Sequence, residues 1–139
     1  MHYWLLKSEP STWSWKNQVD RGQIGEGWDG VRNYQAANNM KAMEIGDLAF
    51  FYHSVTEKQI VGIVEVCALY HADSTDPSGR FGMASVRALK SLNAPVTLAD
   101  IKADTRLREI ALVRQPRLSV IPVSAEHWTI IMQKSNTVI

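Results

Sequence analysis

Between Trp28 and Gln35 the chain compresses the residue types that recognise a flat, polar ligand: Trp28-Asp29-Gly30-Val31-Arg32-Asn33-Tyr34-Gln35. The indole and phenol rings offer faces for stacking. Arg32 offers a forked cation, and Asn33 and Gln35 offer paired donors and acceptors. Gly25-Glu26-Gly27 before this run and Asp29-Gly30 within it are turn signals, which places Trp28 on a loop. Two readings of that tryptophan stand open: it plugs the end of a core, or it walls a pocket for a planar group. Arg32 has two readings as well, a phosphate contact or a structural ion pair with Asp29 or Glu9.

Two shorter runs carry further chemistry. Lys7-Ser8-Glu9-Pro10 gathers an ammonium, a hydroxyl and a carboxylate where a strand ends; it reads as a site or as a solvated strand exit. Tyr52-His53-Ser54 ends another strand, and a lone histidine there is either a hydrogen-bonded structural group or part of the site. No phosphate loop, dinucleotide fingerprint, zinc signature or nucleophile elbow occurs. His2, His53, His71 and His127 are scattered, and none pairs with Cys67 at metal-ligand spacing. The expectation is no metal, no cofactor and no catalytic residue, with Cys67 an inert small hydrophobe inside a strand.

The elements that must position these groups follow from local pattern. Tyr3 to Lys7 reads as a strand halted by Pro10. Ser14 caps a short helix from Trp15 to about Asp20, with Trp15 and Val19 on one face and Gly22 as its stop. A second helix is expected from about Tyr34 to Glu44, with Ala37, Met40 and Met43 inward. Asp47 to Ser54 reads as a buried strand, and Gln59 to Tyr70 as the longest one, with Gly62 marking a bend or a close backbone approach. His71 to Gly82 is expected as loop, without the ligand spacing of a calcium site. Phe81 to Leu89 is a strand of poor alternation. Thr97 to Asp100 is a capping box, Leu107 to Leu112 suggest another helical turn or two, and Arg117 to Val123 is an edge strand containing Pro122. Ser124 caps a closing helix with Trp128, Ile131 and Met132 inward. Strands and short helices interleave without a regular βαβ rhythm, which indicates an α+β fold in one domain over residues 1–139.

The totals set limits. Fifteen Lys and Arg against fourteen Asp and Glu leave a formal charge of +1. That is not the footprint of a protein that grips long duplex DNA by its phosphates, though it allows recognition of one base. Hydrophobic residues make up 45% of the chain, enough for a real core. One cysteine suits a reducing compartment, no run is long and apolar enough for a membrane span, and the first residues lack the pattern of a signal peptide, so a cytoplasmic protein is expected.

Taken together, the three chemical runs resemble the EVE domain, a member of the PUA-like superfamily, in its thymocyte nuclear protein-like group. The family pattern reads Tyr-Trp-Leu-Leu-Lys-Ser-Glu-Pro, then Trp-Asp-Gly-Val-Arg-Asn-Tyr-Gln-Ala, then Phe-Phe-Tyr-His-Ser. This chain carries all three, at Tyr3 to Pro10, Trp28 to Ala36 and Phe50 to Ser54. Val61 to Val66 and Arg117 to Val123 also look like family segments. The resemblance departs at Ser78 to Leu89, where many members have a longer stretch with a Pro-Arg-Trp that this chain lacks. It implies a compact PUA-like β-barrel with peripheral short helices. It also implies a non-enzymatic module that recognises a modified nucleobase, in DNA or RNA, in an aromatic and polar pocket. The similar YTH domains hold a methylated adenine in an aromatic cage, with a Lys-Ser pair after the first strand and a tryptophan on the next loop. Carried over to this sequence, the implied base-binding residues are Lys7, Ser8, Trp28 and Asn33, with His53 and Ser54 near the pocket and Arg32 at the nucleic-acid backbone. Physical reading agrees that an extruded base needs stacking on its face and hydrogen bonds along its edge. Two other classes compete: an enzyme acting on a nucleotide through Lys7, Glu9 and His53, and a protein-interaction domain anchored by Trp28.

Overall fold

Six strands form one sheet: β1 (Tyr3–Ser8), β2 (Glu26–Gly27), β3 (Leu48–His53), β4 (Gln59–Ala72), β5 (Gly82–Thr97) and β6 (Val120–Val123). Their order across the sheet is β2-β5-β4-β3-β1-β6, with β1 parallel to β3 and every other pair antiparallel. Five helices surround it: α1 (Trp15–Asp20), α2 (Tyr34–Lys41), α3 (Leu98–Ala103), α4 (Ala111–Arg114) and α5 (Ala125–Lys134). The computed structural model describes residues 1–139, and the fold is α+β as expected. Register shifts at four places between β4 and β5, and one between β3 and β4, bend and twist the sheet. β2 and β6 are its two edges, which is where Pro122, lacking an N–H, can be tolerated.

The centre is β3, a nearly continuous apolar run because both of its faces are covered. Successive side chains point to opposite sides. Phe50 faces α5, where the Trp128 indole lies between Phe50, with centroids 3.9 Å apart, and Tyr3, 4.5 Å away. Phe51 faces the other way, meeting Trp15 at 5.2 Å and the edge of Trp28 at 5.6 Å. Gly62 is required beneath Trp15, because a Cβ there would come within 2.4 Å of the indole. The close approach read from the sequence is therefore a ring laid on bare backbone.

Several boundaries differ from the sequence reading. β1 continues through Ser8, and α2 stops at Lys41, three residues early. The inward residue of α1 is Gln18, fully buried, while Val19 is exposed. Gln18 wins the core position because its carboxamide is satisfied at both ends, accepting from Trp13 Nε1 and donating to Val86 O. β4 reaches Ala72, which shortens the expected loop. β5 extends to Thr97 rather than Leu89. Its far half is interrupted where Leu92 to Pro95 leave the β4 ladder and dock on the C-terminal segment, with Ala94 N donating to Ser135 O. β6 begins only at Val120, after a turn in which Leu118 N bonds Gln115 O. No helix is long and apolar enough to cross a membrane.

Candidate functional site

A cavity of about 370 Å³ opens where β1 leaves the sheet. Lys7, Ser8 and Glu9 border it from the strand exit, Thr12 and Trp13 from the turn that follows Pro10, and Glu26, Gly27, Trp28 and Asp29 from the opposite side. The turn is closed by Thr12 N and Trp13 N, both donating to Glu9 O at 2.9 Å. The Ser8 hydroxyl donates to the Trp13 carbonyl, which ties the turn back to the strand. Trp13 is then oriented by its Nε1 bond to buried Gln18, 2.9 Å long.

The far wall is built with equal care. β2 pairs with β5 through Glu26↔Val86 and Gly27↔Ser85, and Trp28 N continues the contact to Ala84 O at 2.8 Å. Gly25 makes this docking possible: it has φ +75°, and a Cβ would lie 2.6 Å from Val86 O. Beyond Trp28, the buried Asp73 accepts from Gly30 N at 2.9 Å and from the Thr75 hydroxyl and N–H, with the Arg32 guanidinium 3.4 Å away. Burial alone would push the Asp73 carboxyl up, but the Thr75, Gly30 and Arg32 hydrogen bonds outweigh it and hold the pKa below the ordinary value.

Trp28 is only 8% exposed, yet it borders the cavity. The ring packs on Phe51 as part of the core while the residue also borders the hollow, so its two sequence readings do not exclude one another. Lys7 Nζ donates to Pro116 O at 2.7 Å and has no carboxylate at ion-pair distance. Burial lowers its pKa from the usual lysine range. The residues that border the cavity therefore bring one ammonium, two carboxylates without an ion-pair partner at Glu9 and Asp29, a third at Glu26 that Arg21 already holds at 3.1 Å, and two tryptophans.

The remaining residues singled out from the sequence lie elsewhere. Asn33 is the N-cap of α2, its Oδ1 accepting from Ala36 N at 2.9 Å, and it does not border this cavity. The signal misled because Asn before a helix is both a good base reader and a good cap. His53 is buried with both ring nitrogens engaged, Nε2 accepting from Trp15 N at 3.0 Å and Nδ1 facing Glu57 Oε1 at 2.9 Å. Ser54 bonds through its backbone N–H to Ser8 O at 2.9 Å, so it braces the strand exit from behind. Arg32 is held by Asp73 and by Thr75, 3.0 Å from the hydroxyl, instead of by Asp29 or Glu9. Trp13 and Glu26 were not anticipated. Trp13 could have been suspected from its place three residues after Pro10 and one before a capped helix, where an apolar ring has no periodic reason to be. The shortened Ser78 to Leu89 connection contributes nothing to the cavity lining.

A wider hollow of about 530 Å³ lies between Asp100, Ala103, Asp104, Thr105 and Lys134. It has no aromatic wall, and its ammonium is already paired with Asp104 at 3.0 Å. No group of three or more His, Cys, Asp or Glu is gathered closely enough to hold a metal ion.

A bent, mixed six-stranded sheet ringed by short helices is the architecture of the PUA-like class. The EVE domain model matches residues 2–134, and the chain belongs to that family. A protein from Agrobacterium tumefaciens is 49% identical in sequence and superposes with a TM-score of 0.94, over 97% of this chain and 93% of that one. Thymocyte nuclear protein 1 of Danio rerio is 32% identical over 167 residues, covering 96% of this chain and 71% of its own length. The human THYN1 protein, solved in complex with 5-methylcytosine containing DNA, is 27% identical and has a TM-score of 0.93 over the full length of both chains.

Proposed function

We propose that the cavity between Lys7 and Trp28 holds one modified nucleobase, in DNA or RNA, and that the protein is a non-enzymatic reader of that base. The observation that carries this reading is the pairing of Trp13 and Trp28 around a hollow of about 370 Å³, a size within the range of small-molecule pockets. An indole face suits any base, because every base has a π-face. The polar groups narrow the choice. Carboxylates accept from an exocyclic amino group, as on cytosine N4 or adenine N6. An ammonium donates to the ring nitrogen or carbonyl beside it. Lys7 with Glu9 and Asp29, the two acids that no cation holds, therefore matches an amino-bearing base and repels one that presents a carbonyl in the amino position. The complex of the human relative with 5-methylcytosine containing DNA makes 5-methylcytosine the first probe.

The two competing classes fit less well. Catalysis through Lys7, Glu9 and His53 would need the imidazole at the cavity, whereas it is bound to Trp15 and Glu57. A protein anchor at Trp28 would need a protruding ring, whereas this one is 8% exposed. A cytoplasmic location goes with the reading, because a free cysteine suits a reducing compartment. The test is a titration with 5-methyl-2′-deoxycytidine and with N6-methyladenosine, each beside its unmodified and its carbonyl-bearing counterpart, followed by mass analysis of the recovered ligand. Selective binding of a methylated amino base, returned unchanged, supports the reading. Equal binding of uracil nucleosides, or turnover, contradicts it.

A further inference from the structure

We infer that the hollow formed by Asn33, Gln35, Gln115, Pro116, Arg117 and Leu118 is a second subsite, which takes a phosphodiester of the strand whose base fills the first cavity; this rests on the base-reading proposal above. The hollow measures about 270 Å³. It is joined to the first cavity by a single hydrogen bond, since Lys7 borders one, Pro116 borders the other, and Lys7 Nζ donates to Pro116 O at 2.7 Å.

The two hollows have opposite electrostatic characters. The first is bordered by two unpaired carboxylates, Glu9 and Asp29, against one ammonium, its third acid, Glu26, being paired with Arg21. A phosphate is anionic and cannot run along that rim without repulsion. No acidic side chain borders the second hollow, and what it offers is donors. Arg117 is exposed and forms no ion pair and no side-chain hydrogen bond. Asn33 Oδ1 is fixed by Ala36 N, which leaves the Nδ2 amide as a donor. Gln35 Nε2 bonds Gln115 Oε1 at 3.0 Å, and whichever way the two amides are turned, one NH₂ group remains free. A guanidinium with two carboxamide donors is a phosphate-binding set. The backbone contact that the sequence reading gave to Arg32 thus passes to Arg117 with Asn33 beside it, because Arg32 is spent on Asp73.

The test uses two probes, free 5-methyl-2′-deoxycytidine and a single-stranded DNA heptamer with 5-methylcytosine at its centre. Each is titrated against wild type, Arg117→Glu, Arg117→Lys and Arg80→Glu. Arg80 is exposed, borders neither hollow, and its substitution changes net charge by the same amount as Arg117→Glu. Arg117→Glu should bind the nucleoside like wild type and the heptamer about tenfold more weakly. Its log-log salt slope should fall by about 0.7, the value of one phosphate on a single strand. Arg117→Lys should keep most of the heptamer affinity and Arg80→Glu nearly all of it. An unchanged heptamer affinity and slope in Arg117→Glu, or an equal loss in Arg80→Glu, overturns the subsite while leaving the base pocket standing. Wild-type protein that binds neither probe overturns both.

Discussion

Trp13 and Trp28 border one cavity but carry different loads. Trp13 is half-buried and held mainly by its bond to Gln18, whereas Trp28 belongs to the core through Phe51. Losing a stacked aromatic costs about 1–3 kcal/mol per base, roughly five- to a hundredfold in affinity. Truncating a core tryptophan costs about 3–5 kcal/mol of stability. Trp13→Ala leaves the buried Gln18 oxygen without its donor, a cost of about 1–3 kcal/mol, so it is expected to melt below wild type but above Trp28→Ala and to bind its base poorly. Trp28→Ala should lose both stability and affinity. Trp128→Ala, which empties the space between Tyr3 and Phe50, should melt early but bind normally while folded. Melting curves and nucleoside titrations on the three variants check the contrast, and a Trp13→Ala protein with wild-type affinity would remove stacking from the account. Cys67 is half-buried, with Sγ 2.9 Å from where a Gly25 Cβ would stand, and burial pushes its thiol pKa up. Such a thiol is not primed as a nucleophile. Cys67→Ala should leave the titrations unchanged, and loss of binding by the folded variant would overturn that assignment.

At the scale of elements, the cavity depends on a connection that is not part of it. Asp73, just past β4, secures the Trp28 loop through Gly30 and Arg32. Because its folded pKa is depressed, its stabilisation is fully present above the ordinary value of 3.8 and disappears as pH falls through the lower folded value. Asp73→Asn should be destabilised at neutral pH, and the gap to wild type should narrow between about pH 5 and about pH 2. Thermal melts of both proteins across that range measure it; a constant gap would mean that the carboxylate charge does not matter. Asp73 also marks where sequence reading stops. The caps at Ser14 and Ser124 and the capping box at Thr97 were legible because each is written in a few neighbouring residues. The Asp73–Gly30 latch joins residues 43 apart and leaves no local trace. Gln18 was misread for a similar reason, since a polar residue enters the core only when distant partners satisfy it.

For the whole molecule, the near-neutral charge and the proposed base pocket predict that binding involves few phosphates. The salt slope on single-stranded DNA should therefore be shallow, corresponding to only one or two contacts at about 0.7 each. A slope like that of a strongly basic DNA-binding protein would contradict this. The α+β class, and the meeting of Lys7-Ser8 with Trp28, could be read from the chain because whole motifs carry them. How the remaining motif residues divide could not be read, because Arg32 and Asn33 follow Trp28 closely in sequence yet are taken up by Asp73 and by the start of α2, and His53 is taken up by Trp15, 38 residues away. Nuclear Overhauser contacts from the 5-methyl group of a bound 5-methylcytosine heptamer show where the base lies. A base held between Trp13 and Trp28, as proposed, gives contacts to the indole protons of both. Contacts confined to another face of the protein, in a sample that is demonstrably bound, would contradict that placement.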